Sequence, residues 1–149
     1  MFLLISECQY VLREKSLEFT SPGYPEFYPN KAKCKWTIIA EPGYHIHLTI
    51  IDVKIEESKH CEFDAVTVYD GEGDTAIPIR KLCGTKHPES LQSVSNVFTI
   101  IMETDGYGNG EGFQMKYSTV PCKYGDQFYW YYNTNVQWYS DFSYVFCYV

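Results

Sequence analysis

Three acidic side chains of the 149-residue chain, Glu56, Asp64 and Asp105, carry the pattern with the clearest chemistry. Asp64 belongs to the run Cys61-Glu62-Phe63-Asp64-Ala65-Val66-Thr67-Val68-Tyr69-Asp70-Gly71. It shares the parity of Val66 and Val68, so valines facing a core put Asp64 on the same side at the start of the strand. A carboxylate on an apolar face is expensive unless it is paired or bound to a metal. Glu56 lies eight residues earlier, before the turn Ser58-Lys59-His60. Asp105 opens a glycine-rich loop just after a strand ending at Met102. Unpaired at one rim, three such groups repel and raise one another's pKa. Ca²⁺ reverses the sign of that problem, because it is a hard cation that takes roughly six to eight oxygens, backbone carbonyls and waters included. Gly106, Gly108 and Gly110 give the loop freedom to turn its carbonyls inward. Solvated loop acids are the ordinary alternative, and spacing by itself leaves both readings open.

Other chemistry is weaker. His45 and His47 share a strand face two residues apart, a possible zinc pair, yet no third ligand is apparent and an exposed strand face is the favoured reading. His60 and His87 lie in turn-like segments. No H-E-x-x-H, G-x-S-x-G or P-loop occurs, and nothing around Glu56 and Asp64 suggests a glycosidase cleft. The chain is expected not to be an enzyme.

The elements that must position the three acids read as short strands. Cys34, Trp36 and Ile38 alternate with Lys35 and Thr37. Ile46, Leu48 and Ile50 alternate with His45, His47 and Thr49, and Phe113, Met115 and Tyr117 with Gln114, Lys116 and Ser118. Period two marks half-buried antiparallel strands. The run from Val97 to Met102 is almost wholly apolar and fits a central strand. Turn clusters such as Ser21-Pro22-Gly23, Glu41-Pro42-Gly43 and Asp70 to Asp74 separate the runs, which together predict an all-β sandwich.

Six cysteines, Cys8, Cys34, Cys61, Cys83, Cys122 and Cys147, stand at wide spacings with no C-x-x-C. That pattern points to disulfides and an oxidising, extracellular compartment rather than to zinc or free thiols. A net charge of −7 argues against nucleic acid as the main ligand and favours cationic partners. No apolar run of about 18 residues exists, so no membrane insertion is expected. Met1 to Ile5 is apolar but shorter than the roughly 7–15 residues of a signal-peptide core.

Six segments stand in order along the chain: Phe19 through Asn30 (FTSPGYPEFYPN), Cys34-Lys35-Trp36, Glu41 through Tyr44, Cys61 through Asp64, Leu82-Cys83-Gly84, and Gly112-Phe113. Together they resemble the CUB domain, over about Cys8 to Ser118. The resemblance implies a jelly-roll-like sandwich of two antiparallel sheets, stapled by Cys8–Cys34 and Cys61–Cys83, one of fifteen pairings open to six cysteines. It leaves Cys122 and Cys147 for each other. It further implies calcium held by Glu56, Asp64 and Asp105, with Tyr28 hydrogen-bonded to the acids and backbone carbonyls near Gly106 and Tyr107 as additional ligands. With all three acids present the sequence resembles the calcium-binding branch of the family; the spermadhesin-like branch often lacks them. The implied function is an extracellular interaction module whose calcium site receives a Lys or Arg from a partner protein, with Tyr107 against the stem of that side chain. Two rivals stay open: a calcium-independent adhesion or carbohydrate-binding module, and a non-catalytic fragment of a modular secreted protease.

The domain is therefore expected over residues 8–118. The segment 119–149 has a different composition: residues 128–132 read Phe-Tyr-Trp-Tyr-Tyr, and more aromatics follow up to Tyr148. It reads as a disulfide-closed hairpin on the sandwich, the start of a further module, or an aromatic contact surface.

Overall fold

The computed structural model describes residues 6–122. Ten strands follow in chain order: β1 (Ser6–Leu12), β2 (Ser16–Thr20), β3 (Ala32–Ile39), β4 (Tyr44–Ile55), β5 (Ala65–Asp70), β6 (Ile77–Leu82), β7 (Gly84–Lys86), β8 (Glu89–Gln92), β9 (Val97–Glu103) and β10 (Gly112–Pro121). They form two sheets. One has the order β1-β3-β9-β5-β6; the other runs β2-β10-β4-β7, with β8 also paired to β4. The predicted alternation sets the inner faces: Cys34, Trp36 and Ile38 are buried on β3, Ile46, Leu48 and Ile50 on β4, and Phe113, Met115 and Tyr117 on β10. The apolar strand β9 lies centrally, between β3 and β5. Trp36 meets Phe113 of the other sheet edge-on at 5.1 Å, joining the two layers, and stacks on Tyr10 of its own sheet at 5.5 Å. Among the described residues no helix is long and apolar enough to cross a membrane.

Two features depart from the expected pattern. The first sheet is not wholly antiparallel, because β1 pairs with β3 in parallel, Cys8 opposite Cys34. The chain passes through β2 in the other sheet between these two strands, and this detour lets it return in the same direction. The second departure is a bulge. Gln114 faces Asp52 while Met115 faces Ile50, so Ile51 is the extra residue. Burial on β4 then shifts parity, from Ile46, Leu48 and Ile50 to Val53 and Ile55. That shift keeps Lys54 off the inner face and delivers Glu56 just past the strand end.

Cys8–Cys34 and Cys61–Cys83 are bonded. Cys122 is disulfide-bonded as well; Cys147, its expected partner, and the aromatic residues beyond Cys122 lie outside the described residues. Strand β10 continues past Ser118 to Pro121, and the Cys122 amide donates to the Gly43 carbonyl at 2.9 Å. The Cys61–Cys83 bridge spans 22 residues, which corresponds to about 3 kcal/mol in the chain-entropy view. The double variant Cys61→Ala/Cys83→Ala is expected to lose about that much in urea unfolding. A loss below about 1 kcal/mol would show that the bridge adds little to the fold.

Candidate metal centre

The antiparallel partners β5 and β9 run side by side, so the entry to β5 and the exit from β9 fall at one end of the sandwich. The end of β4 arrives there too, because Ile55 pairs with Gly84 immediately after Cys83. Glu56, Asp64 and Asp105 stand at those three ends, and each offers a carboxylate oxygen within 4.8 Å of the others. Among the described residues this is the one group of three His, Cys, Asp or Glu so placed, and no third ligand joins His45 and His47.

Asp64 is 0% exposed. Its parity with the fully buried Val66 and Val68 carries it inward, as the alternation requires. The Tyr28 hydroxyl donates to Asp64 Oδ2 at 2.7 Å, and the Asp105 amide donates to Asp64 Oδ1 at 2.7 Å. The Glu56 amide donates in turn to Tyr28 Oη at 3.0 Å. One buried tyrosine thus ties two of the three acidic segments together. The Tyr107 amide donates to Asp105 Oδ1 at 2.9 Å and turns the loop back over the acid, while the Tyr107 ring is 85% exposed.

A second clamp was not legible from the acids. Lys31 N–H donates to the Asp105 carbonyl at 2.7 Å, and Thr104 N–H donates to the Ala32 carbonyl at 3.0 Å. Thr104 Oγ1 donates to the Pro29 carbonyl at 2.9 Å and accepts from Ala32 N–H at 2.8 Å. These four bonds lock the entry to β3 against the exit of β9. A threonine just before the loop aspartate was the available signal, since a hydroxyl can donate and accept at once.

The loop glycines serve two different needs. Only Gly108 has the expected left-handed backbone, at φ +69°, and it also lies against Glu56, whose Oε1 would be 2.3 Å from an added Cβ. Gly110 is required for space: a Cβ there would stand 2.2 Å from the Lys54 carbonyl oxygen. A Cβ on Gly106 would meet only the Lys31 side chain, at 3.0 Å.

Electrostatically the cluster is unresolved. Burial pushes the Asp64 carboxyl above the usual carboxylate range, with Asp105 adding to the rise and the Tyr28 and Asp105 donors opposing it. Burial also raises Glu56, helped by the charges of Asp64 and Asp105. Glu56 Oε2 is buried and has no hydrogen-bond partner among the described residues. Burial raises Tyr28 as well, with its bond to Asp64 adding to the shift. Among the described residues the ion pairs are formed by other acids, at Lys33, Lys35, Lys54 and Arg80, and none involves these three carboxylates. The set is all oxygen, one member is fully buried, and a cation would answer both the repulsion and the orphaned Glu56 oxygen.

Comparison with known proteins follows the same outline. The family model described as CUB domain matches residues 8–117. The mouse protein named CUB and zona pellucida-like domain-containing protein 1 is 36% identical over 117 residues, covering 78% of this chain and 19% of that protein's length. The chain thus spans about a fifth of this relative. Among solved structures, the full extracellular region of zebrafish Gpr126/Adgrg6 aligns at TM-score 0.69 with 32% identity, covering 78% of this chain and 15% of that one. A MASP-1 CUB2 domain bound to Ca²⁺ aligns at TM-score 0.62 with 26% identity, covering 72% of this chain and 96% of that one. With the two-sheet sandwich and its two bonded cysteine pairs, the match over residues 8–117 makes this chain a member of the CUB domain family.

Proposed function

We propose that this chain is an extracellular, non-catalytic interaction module that holds Ca²⁺ at Glu56, Asp64 and Asp105 and grips a Lys or Arg of a partner protein through that site. One observation carries the reading: three carboxylates within 4.8 Å of one another, one of them wholly buried. The Ca²⁺ bound by the similar MASP-1 CUB2 domain supports the choice of cation. Calcium supplies positive charge that lets all three acids stay ionised together. Tyr28 holds Asp64 in place, and carbonyls near Gly106 and Tyr107 are available to complete an oxygen shell. The carboxylate lone pairs left outward then accept charge-assisted hydrogen bonds from an ammonium or guanidinium group.

The test is surface plasmon resonance with immobilised chain and short peptides carrying one central Lys, against the same peptides with norleucine. Binding of the Lys peptide alone, lost with chelator and in Glu56→Ala, is the expected result. Equal binding of both peptides, or binding indifferent to chelator, would remove the cationic grip. The attraction should weaken as salt is raised, to the extent that the contact is exposed. Heat from glycans with none from calcium would favour the carbohydrate-binding rival.

Protons compete with the cation for the same oxygens. Asp64 and Glu56 have folded pKa values raised above their unfolded ones. Without metal, their contribution to stability is fully present below the unfolded pKa and is lost as pH rises through the folded one. Calcium binds the charged form. The increment in melting temperature produced by calcium should therefore shrink steadily as pH is lowered from about 7.5 towards the ordinary carboxylate range near about 4. Paired melts with calcium and with chelator across that range measure it. A constant increment would contradict the assignment of these two acids as ligands.

A further inference from the structure

The loop after Asp105 carries a dipeptide with chemistry of its own. Of the chain's asparagines only Asn109 is followed by glycine. Two others among the described residues set the contrast. Asn96 is buried, its amide donates to the Ala40 carbonyl at 3.0 Å, and Val97 follows it. Asn30 is exposed, but the next backbone nitrogen is engaged, since Lys31 N–H donates to the Asp105 carbonyl at 2.7 Å. Asn109 is exposed, lies outside any strand and lines an open groove with Phe27, Glu56 and Glu111. Among the described residues its side chain has no hydrogen-bond partner and the Gly110 N–H has no acceptor.

An asparagine side chain and the following backbone nitrogen are one bond short of a five-membered ring. Glycine in second place has no side chain to crowd the attack. The Gly110 amide gives its proton to solvent base, and its nitrogen attacks Asn109 Cγ. A C–N bond forms there, the Cγ–Nδ2 bond breaks, and Nδ2 leaves as ammonia. Water then opens the cyclic imide. Opening at Cγ gives aspartate; opening at the main-chain carbonyl gives isoaspartate, whose backbone runs through Cβ and Cγ. One water is consumed and one ammonia released, and nothing is oxidised or reduced.

This loop has no room for a longer backbone. The Gly110 carbonyl accepts from Tyr28 N–H at 3.1 Å, and a Cβ on Gly110 would stand 2.2 Å from the Lys54 carbonyl oxygen. Gly108 lies against Glu56. An extra main-chain carbon between these two glycines displaces one or the other. We infer that Asn109-Gly110 is a site of spontaneous deamidation whose isoaspartate product pulls the loop off β4 and retires the calcium centre. The loss of calcium rests on the proposed metal centre; the conversion and the damage to the loop do not.

The experiment incubates the folded chain for weeks at mildly alkaline pH beside a synthetic peptide of residues 107–112. Peptide mass spectrometry that separates aspartate from isoaspartate follows both. Asn109 should convert in the folded chain at no less than about a tenth of the peptide's rate, because neither reacting group must give up a partner. Asn30 and Asn96 should stay intact. The isoaspartate form, purified from the mixture, should melt at least about 4 °C lower in chelator than the fresh chain. It should bind calcium at least about tenfold more weakly. Asn109→Gln, with a side chain one carbon too long for the ring, should keep both properties through the same incubation. Asn109→Asp adds the charge without the extra main-chain carbon, and should bind calcium no more than about threefold more weakly than the parent. An intact Asn109 when the peptide is fully converted overturns the modification. An isoaspartate form that melts like the fresh chain overturns its consequence, and an equal loss of calcium in Asn109→Asp overturns the role of backbone length. A fresh chain that takes up no calcium defeats the metal centre alone, and the melt in chelator still decides this inference.

Discussion

Asp64→Ala should abolish the response of the melting temperature to calcium and should also lower the melting temperature of the chelated protein. The two effects have separate causes. Asp64 accepts from the Tyr28 hydroxyl and the Asp105 amide in a fully buried position. Alanine leaves both donors without a partner, at about 1–3 kcal/mol each. Against this, removing a buried charge relieves its desolvation and its repulsion of Glu56 and Asp105. A net loss of about 2 kcal/mol is expected, or about 4–8 °C for a chain of this size. The calcium response is lost because the central ligand has gone; at free calcium ten times the dissociation constant that response is about 1.4 kcal/mol, or about 3–6 °C. Asp64→Asn separates the contributions. It keeps an acceptor but carries no charge, so it should lose the calcium response while melting closer to the chelated wild type. An Asp64→Ala protein that still gains stability from calcium would move the ion elsewhere.

Gly110→Ala should be the most damaging single methyl in the loop. The new Cβ would lie 2.2 Å from the Lys54 carbonyl oxygen and 3.0 Å from its carbon. That carbonyl belongs to β4, where Lys54 pairs with Gly112 on one side and Thr85 on the other, so it has little room to withdraw. The loop must move instead, which breaks the Tyr28 N–H bond to the Gly110 carbonyl and loosens the segment that holds Asp105. A cost of about 3 kcal/mol in urea unfolding and at least about a hundredfold weaker calcium affinity are expected. Gly106→Ala is the control, because it meets only the end of the flexible Lys31 side chain. It should change stability by less than about 1 kcal/mol and keep its calcium. Equal damage from the two substitutions would show that steric contact with β4 is not what Gly110 avoids.

Of the three acids, Asp64 was legible from strand parity, which is a local property. Glu56 and Asp105 were candidates from their places beside a turn and a glycine-rich loop, and joined Asp64 as a set through the family resemblance. Val66 and Val68 fix the inner face of β5, and Asp64 inherits their direction without reference to any other segment. The same logic gave the inner faces of β3, β4 and β10. It stopped at Ile51, where one extra residue reverses parity. A bulge depends on how two strands are matched, and the run Ile50-Ile51-Asp52-Val53 offers only a pair of adjacent apolar residues as a hint. The parallel pairing of β1 with β3 was invisible for the same reason, since alternation reports which face is buried and says nothing about strand direction. Tyr28 and the two bonded cysteine pairs came from family resemblance rather than from periodicity. The clamp made by Lys31, Ala32 and Thr104 came from neither. Two of its four bonds are backbone contacts between distant segments, which leave no mark on residue type, and the other two show only as the single hydroxyl of Thr104.

Isothermal titration of Ca²⁺ into the wild-type chain, Glu56→Gln, Asp64→Asn and Asp105→Asn tests the metal centre most directly. The expected result is one ion per chain bound by the wild type between about 10⁻⁶ and 10⁻³ M, with affinity lost or weakened at least about tenfold in every variant. A wild type that takes up no calcium, or three neutralised variants that bind it as tightly as the parent, would mean that these carboxylates meet for some purpose other than holding a metal.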